Sequence, residues 1–396
     1  MVFMAAASCS FTTKTFDDPD KDKLLIDLIT YVLNQGHYDA KVINDEFSAN
    51  VYEDYLEGMD PSKRFFYKED IEDFSSFKDQ IDDQIKGKNI EFFNLTYGRL
   101  QQRMEEARSI YKEILAEPFD FSVNEKIDTD YDNLKYVSSK AELTKRWKEQ
   151  LKFNTLITYH DLKEDEATKK EADESYEVKD DAELEKEARE STLSNMERYY
   201  DFTDDLERED YFSVYINAIV EEFDPHTFYF APQEKDRFDI AMSGKLEGIG
   251  ARLVKDSDNI TITEVISGGP AWRSDEITEG DVILKVKQED EKDAVSIVGM
   301  RLDDAVDLIK GPKDTKVTLT VRKKVMGNIE DVTLVRDVIE IEETYAKTSM
   351  VKKDGKNFGI INLPKFYFDM EDYSSRNAAS DIKEDNFTEE KKSENK

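Results

Sequence analysis

Lys245-Leu246-Glu247-Gly248-Ile249-Gly250-Ala251-Arg252-Leu253-Val254-Lys255 opens the most strongly patterned stretch of this chain. Gly299-Met300-Arg301-Leu302-Asp303-Asp304-Ala305-Val306-Asp307-Leu308-Ile309-Lys310-Gly311-Pro312 closes it. Glycines at 248 and 250 free the backbone for unusual φ/ψ values, so that successive N–H groups converge on one point. Such a concavity attracts an anion, and the carboxylate at a peptide's end fits it. In the closing segment Leu302, Ala305, Val306 and Ile309 recur at i, i+3, i+4 and i+7, which predicts a short helix with one apolar face. Gly311-Pro312 stops it.

Between the two ends lie an alternation at Ile260 and Ile262 followed by Val265, a Gly268-Gly269-Pro270 turn, and Glu279-Gly280-Asp281 ahead of Val282-Ile283-Leu284. Beyond the helix, Val317, Leu319 and Val321 alternate with polar residues, as in a half-buried strand. A glycine loop, a strand with a free edge and a helix beside it, in this order, resemble a PDZ domain. That resemblance implies a peptide added as an extra strand between Arg252–Lys255 and the helix, its last side chain in an apolar pocket. The residues expected to bind it are Leu246, Gly248, Ile249, Gly250, Leu253, Leu302, Val306 and Ile309. The alternative is a tight turn at Gly-x-Gly and a helix face that is only core.

Composition narrows the function classes. The chain carries 56 basic and 90 acidic residues, a net charge of -34. A phosphate backbone is repelled by such a protein, so nucleic acid is not an expected partner. Hydrophobic content of 38% supports a core, and no apolar run approaches the ~20 residues of a membrane span. The one cysteine, Cys9, excludes an intrachain disulfide and a cysteine-rich metal site. No cofactor or metal is expected.

Met1-Val2-Phe3-Met4-Ala5-Ala6-Ala7-Ser8-Cys9 resembles the end of a bacterial lipoprotein signal, in which the cysteine becomes the lipidated N-terminus. It lacks a charged n-region, and Ala6 stands where leucine is usual. The reading implies export, a periplasmic location and a lipid tether at Cys9.

From Phe16 to about Pro232 the sequence reads helical. Leu24, Leu25, Leu28 and Val32 mark one apolar face, and Phe47, Val51, Tyr55 and Leu56 another. Segments 89–115, 141–159 and 210–223 follow the same period. Asp161 to Glu190 is rich in charge and reads as a solvated helix or arm. His226, in Asp224-Pro225-His226-Thr227, has no second ligand at metal-like spacing and reads as part of a turn.

Together His37-Tyr38, Phe47 to Leu56 with Asp60, Trp147-Lys148, Asp224-Pro225-His226-Thr227, Leu246 to Ala251, Gly268 to Ala271 and Arg301 to Lys313 resemble the tail-specific, or C-terminal-processing, serine proteases. The resemblance implies a PDZ domain set within a helical and protease body, and cleavage of exported proteins with unstructured, apolar C-termini. The expected fold class is multidomain α+β. Residues 1–16 form a signal and tether, 17–240 a mostly α-helical domain, and 244–337 a PDZ-like β-sandwich or barrel with short helices. Residues 338–396 begin an α/β protease core that is left incomplete.

Val332 to Ile341 and Phe358 to Tyr367 read as entry into that core, and a helix is expected near Ser374 to Ile382. The charged tail 383–396 cannot supply the next buried strand. Ser-x-x-Lys occurs at Ser75/Lys78, Ser109/Lys112, Ser349/Lys352, Ser380/Lys383 and Ser393/Lys396, all in charged surroundings that keep lysine protonated. No catalytic residue is assigned, and the chain alone is expected to be proteolytically inactive. A non-catalytic lipoprotein that captures peptide ends is the alternative; a helical scaffold that binds no peptide is a third. Unpaired edges in 332–367 are expected to promote self-association, relieved by ending the chain after about Arg336.

Overall fold

The computed structural model describes residues 19–131, 133–243, 245–340, 347–353 and 355–363. The readings at Cys9, at the helix near 374–382 and at the tail lie outside these residues. Two compact units divide the chain between Tyr229 and Phe230.

The first unit is helical: α1 Pro19–Gly36, α2 Asp45–Met59, α3 Lys68–Phe74, α4 Ile81–Gly87, α5 Glu91–Leu115, α6 Lys140–Ala172, α7 Asp181–Asp205 and α8 Arg208–Glu221. Side-chain caps start several of them. Asn44 accepts from the N–H of Phe47 at 3.1 Å, and Asp180 and Glu183 form a reciprocal capping box at α7. Aromatic rings fill the centre, with Tyr55, Phe92, Phe93, Trp147 and Tyr215 almost fully buried. Tyr55 and Tyr215 meet edge to face at 5.0 Å between centroids.

The charged stretch 161–190 forms the distal part of an antiparallel hairpin of α6 and α7. Its helices meet through the hydroxyls of Thr155 and Thr192, 2.9 Å apart. Asp60 organises the loop after α2, its carboxylate accepting from the N–H groups of Arg64, Phe65 and Phe66. One expected face is corrected. On α1 the packed side is Asp22, Ile26, Thr30 and Leu33, while Leu24, Leu28 and Val32 point to solvent. Two apolar stripes fit the helical period there; the buried one includes Asp22, which faces Arg208 of α8.

The second unit opens with α9, Pro232–Ser243, then β1 Lys245–Gly248, β2 Ala251–Asp256, β3 Asn259–Val265, α10 Pro270–Ser274, β4 Val282–Gln288, β5 Val295–Ser296, α11 Leu302–Ile309, β6 Lys316–Arg322, β7 Ile329–Val335 and β8 Asp337–Glu340. The strands form an antiparallel sheet in the order β2-β3-β4-β6-β7, with β5 on β4. β1 pairs with β8, Gly248 opposite Asp337. The alternation read in β6 holds: Val317, Leu319 and Val321 are buried, with Ile260, Ile262 and Ile283 in the same core.

Two expectations for the following segment are corrected. Val332 and Leu334 of β7 lie in this core rather than at the entry to another, because β7 pairs along its length with β6. Ending the chain at Arg336 would remove β8, whose Ile339 is buried. Farther on, β9 Lys347–Lys353 and β10 Lys356–Asn362 make a hairpin with exposed side chains.

Candidate functional site

The glycine loop joins β1 to β2, and its carbonyls face inward. Ile249 O accepts from the N–H of Ala271 at 2.8 Å, and Gly250 O accepts from the N–H of Ile266 at 2.9 Å. No described peptide bond is cis, so each N–H points opposite to the carbonyl of its own peptide unit. The N–H groups of Gly250 and Ala251 are therefore turned away from the domain interior, side by side. This is a small anion nest made of backbone alone.

Gly250 is held there at φ +75°, and a Cβ on it would stand 3.1 Å from Gly269 Cα and from Ile339 Cδ1. Glycine is required on both counts. Gly248 differs from the expectation: it lies in β1, and a Cβ there would meet only Lys310 atoms at 3.9 Å, an ordinary contact.

Beyond the nest, β2 pairs only with β3 among the described strands, which leaves its other edge free. α11 packs beside it. A cavity of about 220 Å³ lies there, lined by Leu246, Gly248, Ile249, Gly250, Ala251 and Leu253 from the loop and strands, and by Val306 and Ile309 from α11. Leu302 is not among the lining residues; it packs against the domain core at the start of α11.

The cavity also takes Gln233, Arg237 and Ile240 from α9 and Asp303, Asp307 and Lys310 from the flank of α11, none of them singled out from the sequence. Each trio is spaced i, i+4, i+7, so the helical period itself was the available signal. The charges are paired: Arg237 with Asp303, and Lys310 Nζ with Asp307 at 3.3 Å. The middle of the site is apolar, with donors at one end.

The far end of α11 is anchored by Arg336, which is 3% exposed. Its guanidinium donates to the carbonyls of Ile309 and Leu308 and to Gln288 Oε1. A cation at a helix C-terminus satisfies carbonyls that lack an intrahelical partner.

No activated nucleophile is built by the described Ser-x-x-Lys pairs. Lys78 Nζ is bound to Glu53 at 2.6 Å, and Ser75 donates to the Glu72 carbonyl. Ser109 donates to Glu106 O, and Ser349 and Lys352 lie exposed on β9. The pairs at 380 and 393 lie outside the described residues. His226 is a turn residue: its N–H donates to Asp224 Oδ1 at 2.7 Å, and its ring is exposed. Among the described residues no cluster of His, Cys, Asp and Glu is arranged to hold a metal ion, and no helix is long and apolar enough to cross a membrane.

Comparison with known proteins agrees with this division. Residues 29–233 match the family model for the tail specific protease N-terminal domain, and residues 238–322 match that for the PDZ domain. A tail-specific protease of Haemophilus influenzae is 29% identical over 350 residues, covering 88% of this chain and 47% of that protein. The carboxy-terminal processing protease CtpA of Bacillus subtilis is 34% identical over 169 residues, covering 42% of this chain and 33% of that protein. The chain thus spans about half or less of the length of these curated relatives. Among solved structures, the PDZ domain of a carboxy-terminal protease from Vibrio cholerae, in complex with peptide, is 48% identical; it covers 24% of this chain and 99% of that one, with a TM-score of 0.24.

Proposed function

The chain belongs to the tail-specific protease family, and we propose that its PDZ domain captures the C-termini of unstructured proteins. The peptide's carboxylate sits on the N–H groups of Gly250 and Ala251, and its last side chain enters the cavity bounded by Leu246, Ile249, Leu253, Val306 and Ile309. The preceding residues lie along the free edge of β2 as an added strand. The observation that carries this reading is the inward anchoring of the Ile249 and Gly250 carbonyls, which leaves two backbone donors side by side next to an apolar cavity. Apolar ends are favoured because the cavity's middle offers no unpaired charge.

In this reading the ligands are exported proteins, and recognition serves the family's endopeptidase activity. The 396 residues themselves bind peptide without cutting it. The described Ser-x-x-Lys pairs support this: Lys78 is bound to Glu53 and Lys352 lies exposed, so neither is placed as a neutral base. The proposed setting is the bacterial cell envelope, with Cys9 as the lipid attachment site, on the strength of the pattern from Ala5 to Cys9.

Fluorescence anisotropy of a labelled peptide ending in apolar residues, beside its C-terminally amidated twin, tests the capture. Binding of the free acid and at least tenfold weaker binding of the amide are expected, and equal binding of the two would refute the carboxylate nest. Mass spectrometry of the same incubations should show the acid intact; cleavage products would overturn the assignment of no catalytic residues. Labelling with radioactive palmitate in a bacterial host, with Cys9→Ser as control, tests the tether.

A further inference from the structure

The residues matched to the PDZ domain begin at 238, yet the cavity does not. Gln233 and Arg237 line it from the first two turns of α9, and Ile240 from the next. These three positions share one face of the helix. One ion pair sets the helix against the site. Phe230, just ahead of it, stacks on Phe238 with 4.9 Å between ring centroids, and Arg237 is paired with Asp303 in the first turn of α11. Asp303 itself lines the cavity. The space beside the glycine loop is therefore bounded by the loop and β2, by α11 and by α9.

We propose that α9 is a wall of the peptide site, and that Ile240 sets how large a C-terminal side chain the site accepts. This rests on the reading that the cavity takes a peptide's last residue. At about 220 Å³ the cavity is small, so one branched side chain on its wall is a substantial fraction of its boundary. Shortening Ile240 to alanine removes three carbons from that wall, and the space becomes available to a bulkier ligand residue. The Arg237–Asp303 pair holds α9 against α11, so it keeps the wall in place rather than contacting the ligand's charge. Ile240 is accordingly a specificity residue, and Arg237 a positioning residue.

The test compares two free-acid peptides that differ only in their last residue, alanine or phenylalanine, on the full chain. Each has an amidated control. For Ile240→Ala, the affinity ratio of the Phe-ended to the Ala-ended peptide should rise by about tenfold or more, the scale of a lost hydrophobic wall contact. Ile240→Val should give an intermediate ratio. Arg237→Ala should weaken binding of both peptides, and the exchanged pair Arg237→Asp with Asp303→Arg should restore it. An unchanged ratio in Ile240→Ala, with the wild type still preferring acid over amide, would overturn the wall while leaving the carboxylate nest standing. Tighter binding by Arg237→Ala would also overturn it, since α9 would then be an obstruction. A wild type indifferent to the carboxylate would remove both.

Discussion

Arg336 Nε donates to the carbonyl oxygen of Ile309 at 2.8 Å, and this bond ties the end of the helix that walls the peptide site to the link between β7 and β8. The same guanidinium reaches Leu308 O and Thr315 Oγ1. Replacing Arg336 with methionine would leave the buried Ile309 carbonyl without this donor, at a cost of roughly 1–3 kcal/mol, while Leu308 O keeps the Gln288 side-chain amide as a donor at 2.7 Å. We expect a loss of about 2 kcal/mol in the second unit and weaker peptide binding, because α11 loses its fixed position. Urea titration with hydrogen exchange read on β6 and β8 measures the first effect. A loss below about 0.5 kcal/mol, the scale of an ordinary surface substitution, would show that the anchor contributes little.

The two glycines of the loop should behave differently. Gly250→Ala places a side chain at positive φ against Gly269 and Ile339, with an expected cost of about 1–2 kcal/mol. Gly248→Ala makes only ordinary contacts and should be nearly neutral in thermal unfolding. Gly250→Asp sets a carboxylate beside the ligand's own, and at least a tenfold loss of free-acid affinity is expected, on the order of 1–4 kcal/mol for like charges at contact. Equal tolerance at 248 and 250 would count against this account of the loop.

Acid should weaken the second unit through Asp281. Burial pushes its carboxyl up, but Lys323 and the N–H groups of Lys324 and Thr278 outweigh that and hold it below the usual carboxylate range. A folded-state value below the unfolded one means stability present above about pH 4 and lost as the pH falls through the folded-state value. Asp281→Asn should be less stable at pH 7 and show a flatter acid limb. If wild type and variant lose stability in parallel below pH 4, Asp281 is not the group responsible.

The β9–β10 hairpin exposes Val351, Phe358 and Ile360 on one face, each about half accessible. Apolar strands of this kind invite edge pairing. Light scattering should find association that falls when Phe358 and Ile360 are both changed to lysine. The same mass distribution before and after would place the association elsewhere.

Much of the order of elements in the second unit was legible through local signals: two-residue alternation at 317–321, the apolar face of 302–309, and turn glycines between; β7 was not, since Val332 and Leu334 read as the entry to another core until their pairing with β6 was seen. The loop was legible for a related reason, since positive φ at Gly250 is a demand only glycine meets without strain. α9 as a wall was not, because Gln233, Arg237 and Ile240 mix polar and apolar residues and their shared face shows only once α11 stands opposite. The role of Arg336 was equally hidden: its partners lie 21 to 48 residues away in sequence. On α1 the apolar period suggested the wrong face, since burial followed Asp22 and its partner Arg208.

In the proposed complex two backbone N–H groups, of Gly250 and Ala251, hold the ligand's carboxylate. An amide-resolved NMR titration of the labelled chain with a free-acid apolar peptide tests it directly. The amide protons of Gly250 and Ala251 should move downfield with the acid and stay in place with the amidated peptide, as strong hydrogen bonds to a carboxylate require. Saturable binding of the acid that leaves both resonances unmoved would contradict the account.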